Sequence, residues 1–188
     1  PFLLDEKEVA GAPEGLQTIK AIGKGFEELQ FKIQVSPLDC TGCGSCVNIC
    51  PAPKGKAIVM KPIDSQIERG EVENTDYMFN NVTYKDKIMG RGTVKGSQFA
   101  KPLFEFSGAC AGCGETPYIK LITQLFGERM MIANATGCSS IYGGSAPSTP
   151  YTTNSCGEGP AWASSLFEDN AEFGYGMFQG VNTIRHRM

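Results

Sequence analysis

The eight cysteines are the residues of this chain whose spacing could do chemistry. Four of them form one run, Cys40-x-x-Cys43-x-x-Cys46-x-x-x-Cys50-Pro51, whose short spacings bring thiolates to one point, as a metal centre requires. The run is typical of bacterial 4Fe–4S ligation. A structural zinc site is the alternative, but such sites usually need only two close pairs of ligands. The run therefore predicts an iron–sulfur cluster.

The fourth ligand of this cluster has two possible sources. In two-cluster ferredoxins the last cysteine of such a run ligates the other cluster. Either Cys50 closes the cluster of Cys40, Cys43 and Cys46, or a sister motif upstream of Pro1 supplies the missing ligand. We favour the second source, because the sequence starts at Pro rather than Met and the cysteine run accounts for only half of a ferredoxin.

A second set of cysteines consists of the pair Cys110-x-x-Cys113 and the distant Cys138. Metal ligation, a redox disulfide and ordinary buried cysteines are all compatible with this spacing alone. Cys156 has no partner spacing, and we expect it to be a free thiol.

Composition and charge exclude several function classes. A net charge of −3 and a pI near 5.3 argue against nucleic-acid binding, which normally leaves a basic footprint. No apolar run approaches the roughly 18 residues of a membrane helix. The cysteines are clustered, whereas secreted disulfide scaffolds spread them along the chain. We therefore expect a reducing compartment such as the cytoplasm.

Short elements must position the first cysteine set. Apolar spacing predicts a short amphipathic helix within residues 16–26, and alternation predicts a strand over 31–35. A second short strand is expected at 57–60, after the cysteine run. Residues 63–102 lack a sustained period and are interpreted as a connecting segment, in which Gly90-Arg91-Gly92 is a plain loop.

The elements around the second set have clearer boundaries. Thr116 suits a helix N-cap, Pro117 the first helical position and Gly127 the end of the helix. Residues 130–133 predict a buried strand, with Thr136–Ser140 at its carboxyl end, where open α/β sheets bind ligands. A helix is expected over 161–173, a break at Gly174-Tyr175-Gly176, and then another helix.

Long motifs in the chain resemble those of the pyruvate:ferredoxin oxidoreductase family. The resemblance covers about residues 31–178 and is carried by the stretches 36–46, 104–115, 135–147, 150–154, 159–163 and 166–174. It implies a mixed α/β fold. Residues 1–62 would be the second half of a bacterial-type, ferredoxin-like α+β domain and 63–102 the connecting segment. Residues 103–188 would begin an α/β thiamine-diphosphate-binding domain.

The resemblance also implies an activity and a set of cofactors. The family oxidatively decarboxylates pyruvate with coenzyme A to acetyl-CoA and CO2, passing electrons through three 4Fe–4S clusters to ferredoxin or flavodoxin. Cys110, Cys113 and Cys138 match three ligands of the proximal cluster, whose fourth ligand lies far downstream. Glu115 and Cys138 match positions that contact thiamine diphosphate. The Gly-Asp-Gly signature of magnesium binding is not in the sequence, so ligands for magnesium are expected outside this segment.

The resemblance implies four kinds of partner: the remainder of the same polypeptide, ferredoxin or flavodoxin, pyruvate and coenzyme A, and a second copy in a homodimer. Neither nucleic acid nor a membrane is expected as a partner. Three alternatives stay open at this point: a sister enzyme for another 2-oxo acid, a pyruvate:NADP oxidoreductase, and a standalone ferredoxin-type electron carrier. Seven plausible ligands cannot fill two or three separate four-thiolate sites, which counts against the carrier. His186, the sole histidine, is expected on a solvated helix face.

Overall fold

A computed structural model describes residues 1–53, 55–144, 148–165 and 171–188. The chain forms two compact units, Pro1–Lys101 and Pro102–Met188. Helices and short strands occur in both units, which confirms the mixed α/β class. No helix in the described parts of the chain is long and apolar enough to cross a membrane.

The first unit is built on a small antiparallel sheet. Its strands are β1 (Phe2–Leu4), β2 (Ile19–Lys20) and β3 (Gln30–Lys32), arranged in the order β1–β3–β2. Phe31 of β3 pairs with both Leu3 and Ile19. The helices of this unit are α1 (Glu6–Ala10), α2 (Ser45–Asn48), α3 (Ile63–Ile67), α4 (Glu71–Asn80) and α5 (Val94–Ser97).

Strand β1 lies between two apolar clusters. Its three side chains are all buried, because alternate residues of a strand point to opposite faces and both faces are covered. One cluster comprises Phe2, Leu4, Met78 and Val82, and the other comprises Leu3, Ala21, Phe26 and Phe99. The core of the first unit therefore depends on three consecutive residues.

The corner after β1 is held by a carboxylate that the sequence analysis did not single out. Asp5 caps α1 in a capping box with Glu8. The Glu8 carboxylate also accepts hydrogen bonds from Lys85 Nζ at 2.7 Å to each oxygen and from the Thr83 amide at 2.9 Å. Tyr77 donates its hydroxyl proton to the Glu8 carbonyl at 2.6 Å. These bonds fix α1 against the chain that follows α4.

Two of the elements predicted in the first unit are wrong, and a third is found with different bounds. Residues 16–26 do not form a helix: Ile19–Lys20 is strand β2, and Gly23 and Gly25 adopt φ values of +145° and +86° that end any helical path. No strand forms at 57–60, where Val59 is 61% exposed. The strand predicted over 31–35 is shorter and begins one residue earlier, as β3.

The segment 63–102 is more ordered than an irregular connection. It contains α3, α4 and α5, and its Met78 and Phe99 belong to the two apolar clusters of the first unit. Gly90-Arg91-Gly92 lies in turns outside any helix or strand. The assignment of residues 1–62 and 63–102 to separate domains stays a prediction.

The second unit contains a parallel strand pair. Its elements are α6 (Thr116–Phe126), a 3-10 turn (Gly127–Arg129), β4 (Met131–Asn134), α7 (Cys138–Gly144), β5 (Ala161–Ser164) and α8 (Ala171–Arg187). Strands β4 and β5 pair in parallel, with Ile132 opposite Trp162 and Asn134 opposite Ser164. An antiparallel bridge joins Phe104 to Tyr151.

The helix predicted from Thr116 to Gly127 is found within one residue, but its N-cap is Glu115 and not Thr116. The strand predicted at 130–133 is also found within one residue, but it is not buried as predicted, since Met131 is 51% exposed and only Asn134 is buried. The helix predicted over 161–173 is wrong, because residues 161–164 are strand β5 and complete the pairing of β4. Its residues 166–170 lie outside the described chain. The break at Gly174-Tyr175-Gly176 is also wrong, since α8 continues through it.

Helix α6 exposes several of its large apolar side chains. Tyr118 is 70% exposed, Ile122 44% and Phe126 54%, whereas Thr123 and Gln124 are buried. The face of α6 that this unit buries is therefore largely polar.

Candidate metal centres

The first cysteine run surrounds a short helix and two left-handed turns. Gly42 and Gly44 adopt φ values of +70° and +73°, a region that glycine enters without steric cost. Helix α2 begins directly after Gly44 and carries Cys46. The Cys40 amide donates to the Ser36 carbonyl at 3.1 Å. The left-handed conformations of Gly42 and Gly44 thus turn the chain sharply between the cysteines of this loop.

Two of these cysteines line a cavity of about 460 Å³. Cys40 and Cys46 share its wall with mainly apolar side chains, Ile33, Val35, Val47, Ile58, Val59 and Met60. Burial and solvent exposure are among the factors that set the potential of an iron–sulfur cluster. Two of the four thiols thus lie beside apolar side chains of the kind that surround such a cluster, and both of these cysteines are exposed.

Cys50 lies in a backbone environment that favours its thiolate. Amide hydrogen bonds from Ala52 and Ala57 lower the pKa of Cys50, and the nearby Lys56 charge adds to them. The Ala57 amide stands 3.3 Å from the sulfur. Because metals bind the thiolate and not the thiol, Cys50 is prepared for ligation.

The second cysteine set begins in a tight turn. The Cys113 amide donates to the Cys110 carbonyl at 3.0 Å, and Gly112 adopts a φ of +74°. Glu115 follows as the N-cap residue of α6. Tyr142 donates its hydroxyl proton to Glu115 Oε1 at 3.4 Å. Cys138 precedes Tyr142 by four residues in α7, so both lie on one face of that helix.

Tyr142 is the functional candidate that sequence reasoning missed. It is 6% exposed, and its ring meets the Phe104 ring edge-on with centroids 5.8 Å apart. Burial first, and then the Glu115 carboxylate, raises the pKa of Tyr142 well above its ordinary value. The hydroxyl therefore stays protonated and can donate toward Glu115. Its four-residue spacing from Cys138 is the signal that could have found it.

Tyr151 completes the aromatic surroundings of Glu115. Its ring meets the Phe104 ring edge-on, with centroids 5.3 Å apart. Burial, followed by the Glu115 charge, also raises the pKa of Tyr151. Glu115 thus stands beside two protonated phenols.

The structure places each cysteine set within one unit but does not close either set around an ion. Among the described residues, no three histidine, cysteine, aspartate or glutamate side chains lie close enough to hold a metal. The eight cysteines all belong to the described chain, and no disulfide joins any of them. The assignment of Cys40, Cys43, Cys46, Cys50, Cys110, Cys113 and Cys138 as ligands therefore stays a prediction, as does the role of Glu115.

Two further residues remain outside these sets. Cys156 is exposed in a turn where its amide donates to Asn154 Oδ1 at 2.9 Å. His186 is exposed in the last turn of α8, as expected.

Comparison with known families defines the class of the first centre. Residues 33–52 match the 4Fe-4S binding domain family. This match covers Cys40, Cys43, Cys46 and Cys50, and it confirms an iron–sulfur module at the place where the structure forms the glycine-turned loop.

Comparison with individual proteins covers nearly the whole chain. Pyruvate:ferredoxin oxidoreductase of Moorella thermoacetica (strain ATCC 39073 / JCM 9320) is 63% identical over 182 residues, which are 96% of this chain and 15% of that protein. Pyruvate-flavodoxin oxidoreductase of Klebsiella pneumoniae is 58% identical over 188 residues, 100% of this chain and 16% of that protein. Pyruvate dehydrogenase [NADP(+)] of Cryptosporidium parvum is 55% identical over 188 residues, 100% of this chain and 10% of that protein.

The chain therefore belongs, as a segment, to the pyruvate:ferredoxin and pyruvate-flavodoxin oxidoreductase family. It spans about 15% of the length of the first of these relatives.

Proposed function

We propose that this chain is part of an enzyme that oxidatively decarboxylates pyruvate with coenzyme A. The products are acetyl-CoA and CO2, and two electrons pass through 4Fe–4S clusters to ferredoxin or flavodoxin. The observation that carries the proposal is the identity of 63% over 96% of the chain with a pyruvate:ferredoxin oxidoreductase. The activity is assigned to the whole enzyme, because the chain spans only a small part of its relatives.

The first unit supplies ligands for electron transfer. When bound, a 4Fe–4S cluster accepts and releases single electrons. Cys40, Cys43 and Cys46 hold one cluster, and Cys50 is a ligand of the same cluster or of a sister cluster. Apolar side chains beside Cys40 and Cys46 would pack against a bound cluster, and the amide hydrogen bond to Cys50 Sγ stabilises its thiolate. Both features favour a stably bound cluster that can transfer electrons.

The second unit supplies the proximal site. Cys110, Cys113 and Cys138 would be three ligands of a cluster, and Glu115 and Cys138 would contact thiamine diphosphate, which supplies the carbon chemistry when bound. Tyr142 holds Glu115 by its hydroxyl. Placing Cys138 against both groups brings the electron donor and the first acceptor together. Residues 103–188 would then begin the thiamine-diphosphate domain, with magnesium held by residues elsewhere.

The remaining partners follow from the same proposal. The rest of the polypeptide completes both cysteine sets, and two copies form a homodimer. The large apolar side chains that α6 exposes, such as Tyr118 and Phe126, are suited to packing against further protein. Thiolate ligation of clusters suits a reducing compartment, such as the cytoplasm or a hydrogenosome.

Cysteine-to-alanine variants of the intact enzyme test the proposal. Cys138→Ala should lose the low-temperature EPR signal of one cluster and stop turnover. Cys46→Ala should spare pyruvate decarboxylation and slow the reduction of ferredoxin. Cys156→Ala, which changes an exposed cysteine outside both sets, is the matched control. Unchanged spectra and activity in Cys138→Ala would remove it from the site, and normal ferredoxin reduction in Cys46→Ala would exclude the relay.

NADP is a second candidate for the final electron acceptor. The relatives named pyruvate dehydrogenase [NADP(+)] are 55% and 53% identical to this chain, so the chain resembles both classes. Assays of the intact enzyme with ferredoxin, flavodoxin and NADP as alternative acceptors separate the two candidates.

A further inference from the structure

Asn134, the last residue of β4, has a buried and fully bonded side chain. It is 8% exposed. Its Oδ1 accepts a short hydrogen bond from Ser139 Oγ. Its Nδ2 donates to the Ala135 carbonyl at 2.7 Å and to Ser164 Oγ at 3.3 Å. A buried amide is costly unless it is hydrogen-bonded, and because both ends of this one are bonded, its orientation is fixed.

These bonds connect three pieces of backbone. Asn134 pairs with Ser164 across the parallel strands, and its carbonyl accepts from the Ser165 amide at 2.7 Å. The Thr136 hydroxyl donates to the Ser165 carbonyl at 3.2 Å. The carboxyl ends of β4 and β5 and the turn into α7 are therefore tied together around one amide group.

The bond to Ser139 determines how α7 is rotated. Ser139 is the second residue of α7 and the neighbour of Cys138. Consecutive helical residues point about 100° apart, and residues four apart share a face. Cys138 and Tyr142 share one face of α7 by their spacing, and the bond from Ser139 holds this face toward Glu115, which the Tyr142 hydroxyl reaches at 3.4 Å. Rotation of this first turn would carry the Cys138 thiol away from that face.

We propose that Asn134 is a positioning residue that, through Ser139, sets the place of the Cys138 thiol. The inference rests on the proposed role of Cys138 as a ligand of the proximal cluster. It assigns Asn134 no contact with the cluster or with thiamine diphosphate. What it adds is the reason why a polar side chain is buried at the end of β4.

The test uses Ser139→Ala in the intact enzyme, because Ser139 is only partly buried and its loss should leave the fold intact. The measurements are the EPR spectrum and midpoint potential of each cluster. The proximal signal, identified by its loss in Cys138→Ala, should shift in Ser139→Ala while the other clusters keep their spectra and potentials. Ser139→Thr, which retains the hydroxyl, should restore the native signal. Asn134→Ala should shift the same signal or lose it.

Ser164→Ala is the matched control, because it removes one bond to Asn134 and leaves the bond from Ser139. Its proximal signal should stay native, and a shift equal to that of Ser139→Ala would overturn the proposal, since the strand ends would then be responsible. Native signals in Ser139→Ala, or equal changes in all clusters, would also overturn it. If Cys138→Ala itself keeps every cluster, the proposed function of Cys138 fails instead.

Discussion

Glu8 holds the corner between α1 and residues 83–85, and replacing it with glutamine tests that arrangement directly. The substitution preserves the shape of the side chain and removes its charge. In the native structure both carboxylate oxygens accept from Lys85 Nζ at 2.7 Å. The Thr83 amide and hydroxyl donate to the same group at 2.9 and 2.7 Å. Glutamine would turn an amide group toward the lysine.

The expected cost follows from burial. The Glu8 and Lys85 side chains are 11% and 16% exposed, so the pair lies between two measured limits. Exposed ion pairs contribute about 0–1 kcal/mol, and removing one partner of a buried pair costs about 3–5 kcal/mol. We expect Glu8→Gln to lower the free energy of opening of this corner by about 2–3 kcal/mol. Because each 1.4 kcal/mol changes an equilibrium constant tenfold, the equilibrium constant for opening should rise roughly 30- to 150-fold.

Native-state hydrogen exchange of the intact protein measures this opening through the amides of β1 and α1. Glu6→Gln is the matched control, because Glu6 is an exposed acid in the first turn of the same helix. A double-mutant cycle with Lys85→Met isolates the pair. A coupling energy below about 0.5 kcal/mol, the scale of a surface pair, would refute the reasoning.

The same pair predicts a pH dependence. Burial alone raises the pKa of Glu8, but hydrogen bonds from Lys85, Thr83 and Asp5 together lower it below the ordinary value of 4.5. The stabilisation is therefore complete above pH 4.5 and is lost as the pH falls through the lowered pKa. Protection in Glu8→Gln should lack this acid-dependent loss, whereas an identical pH profile in both proteins would contradict the assignment.

Three further substitutions test the two units. Leu4→Ala should cost about 3–5 kcal/mol, read from hydrogen exchange of β3, because Leu4 is 0% exposed; a cost like that of an ordinary surface change would contradict the described core. Gly44→Ala should cost about 1–2 kcal/mol, because Gly44 has a left-handed φ, and it should reduce the iron content of the first set. Gly90→Ala is the control, since a Cβ at Gly90 meets nothing. Equal iron contents of the two variants would count against a role for the turn at Gly44. Tyr142→Phe removes a bond worth about 1 kcal/mol and should weaken binding of thiamine diphosphate by roughly fivefold in calorimetry. Tyr151→Phe should not, and equal effects of the two would exclude a specific role for Tyr142.

Local features were predictable because their causes are local. The cysteine run was identified from its spacing, and its match to a 4Fe-4S binding domain family agrees with that prediction. Helix α6 was located from Pro117 and Gly127, because proline favours the first turn of a helix and glycine the position after its end. The left-handed turns at Gly42 and Gly44 likewise depend only on the absence of a side chain.

Other features depend on residues far apart in the sequence, and the sequence alone did not predict them. Ala161–Ser164 became a strand because β4 provides a hydrogen-bonding edge some thirty residues earlier. The bond between Tyr142 and Glu115 spans 27 residues and that between Lys85 and Glu8 spans 77. The face of α6 that becomes buried is likewise decided by what packs on it. No periodicity in a short window contains that information.

The two-sided burial of β1 has a practical consequence for anyone preparing this protein. Exposed loops usually tolerate cleavage, but cleavage after Leu4 would remove one wall from each apolar cluster at the same time. A version beginning at Asp5 would lose both clusters together, even though it keeps all eight cysteines and every proposed ligand. A fragment whose ends are chosen only to include the cysteine motif would thus keep the proposed ligands but lose the packed core that supports them.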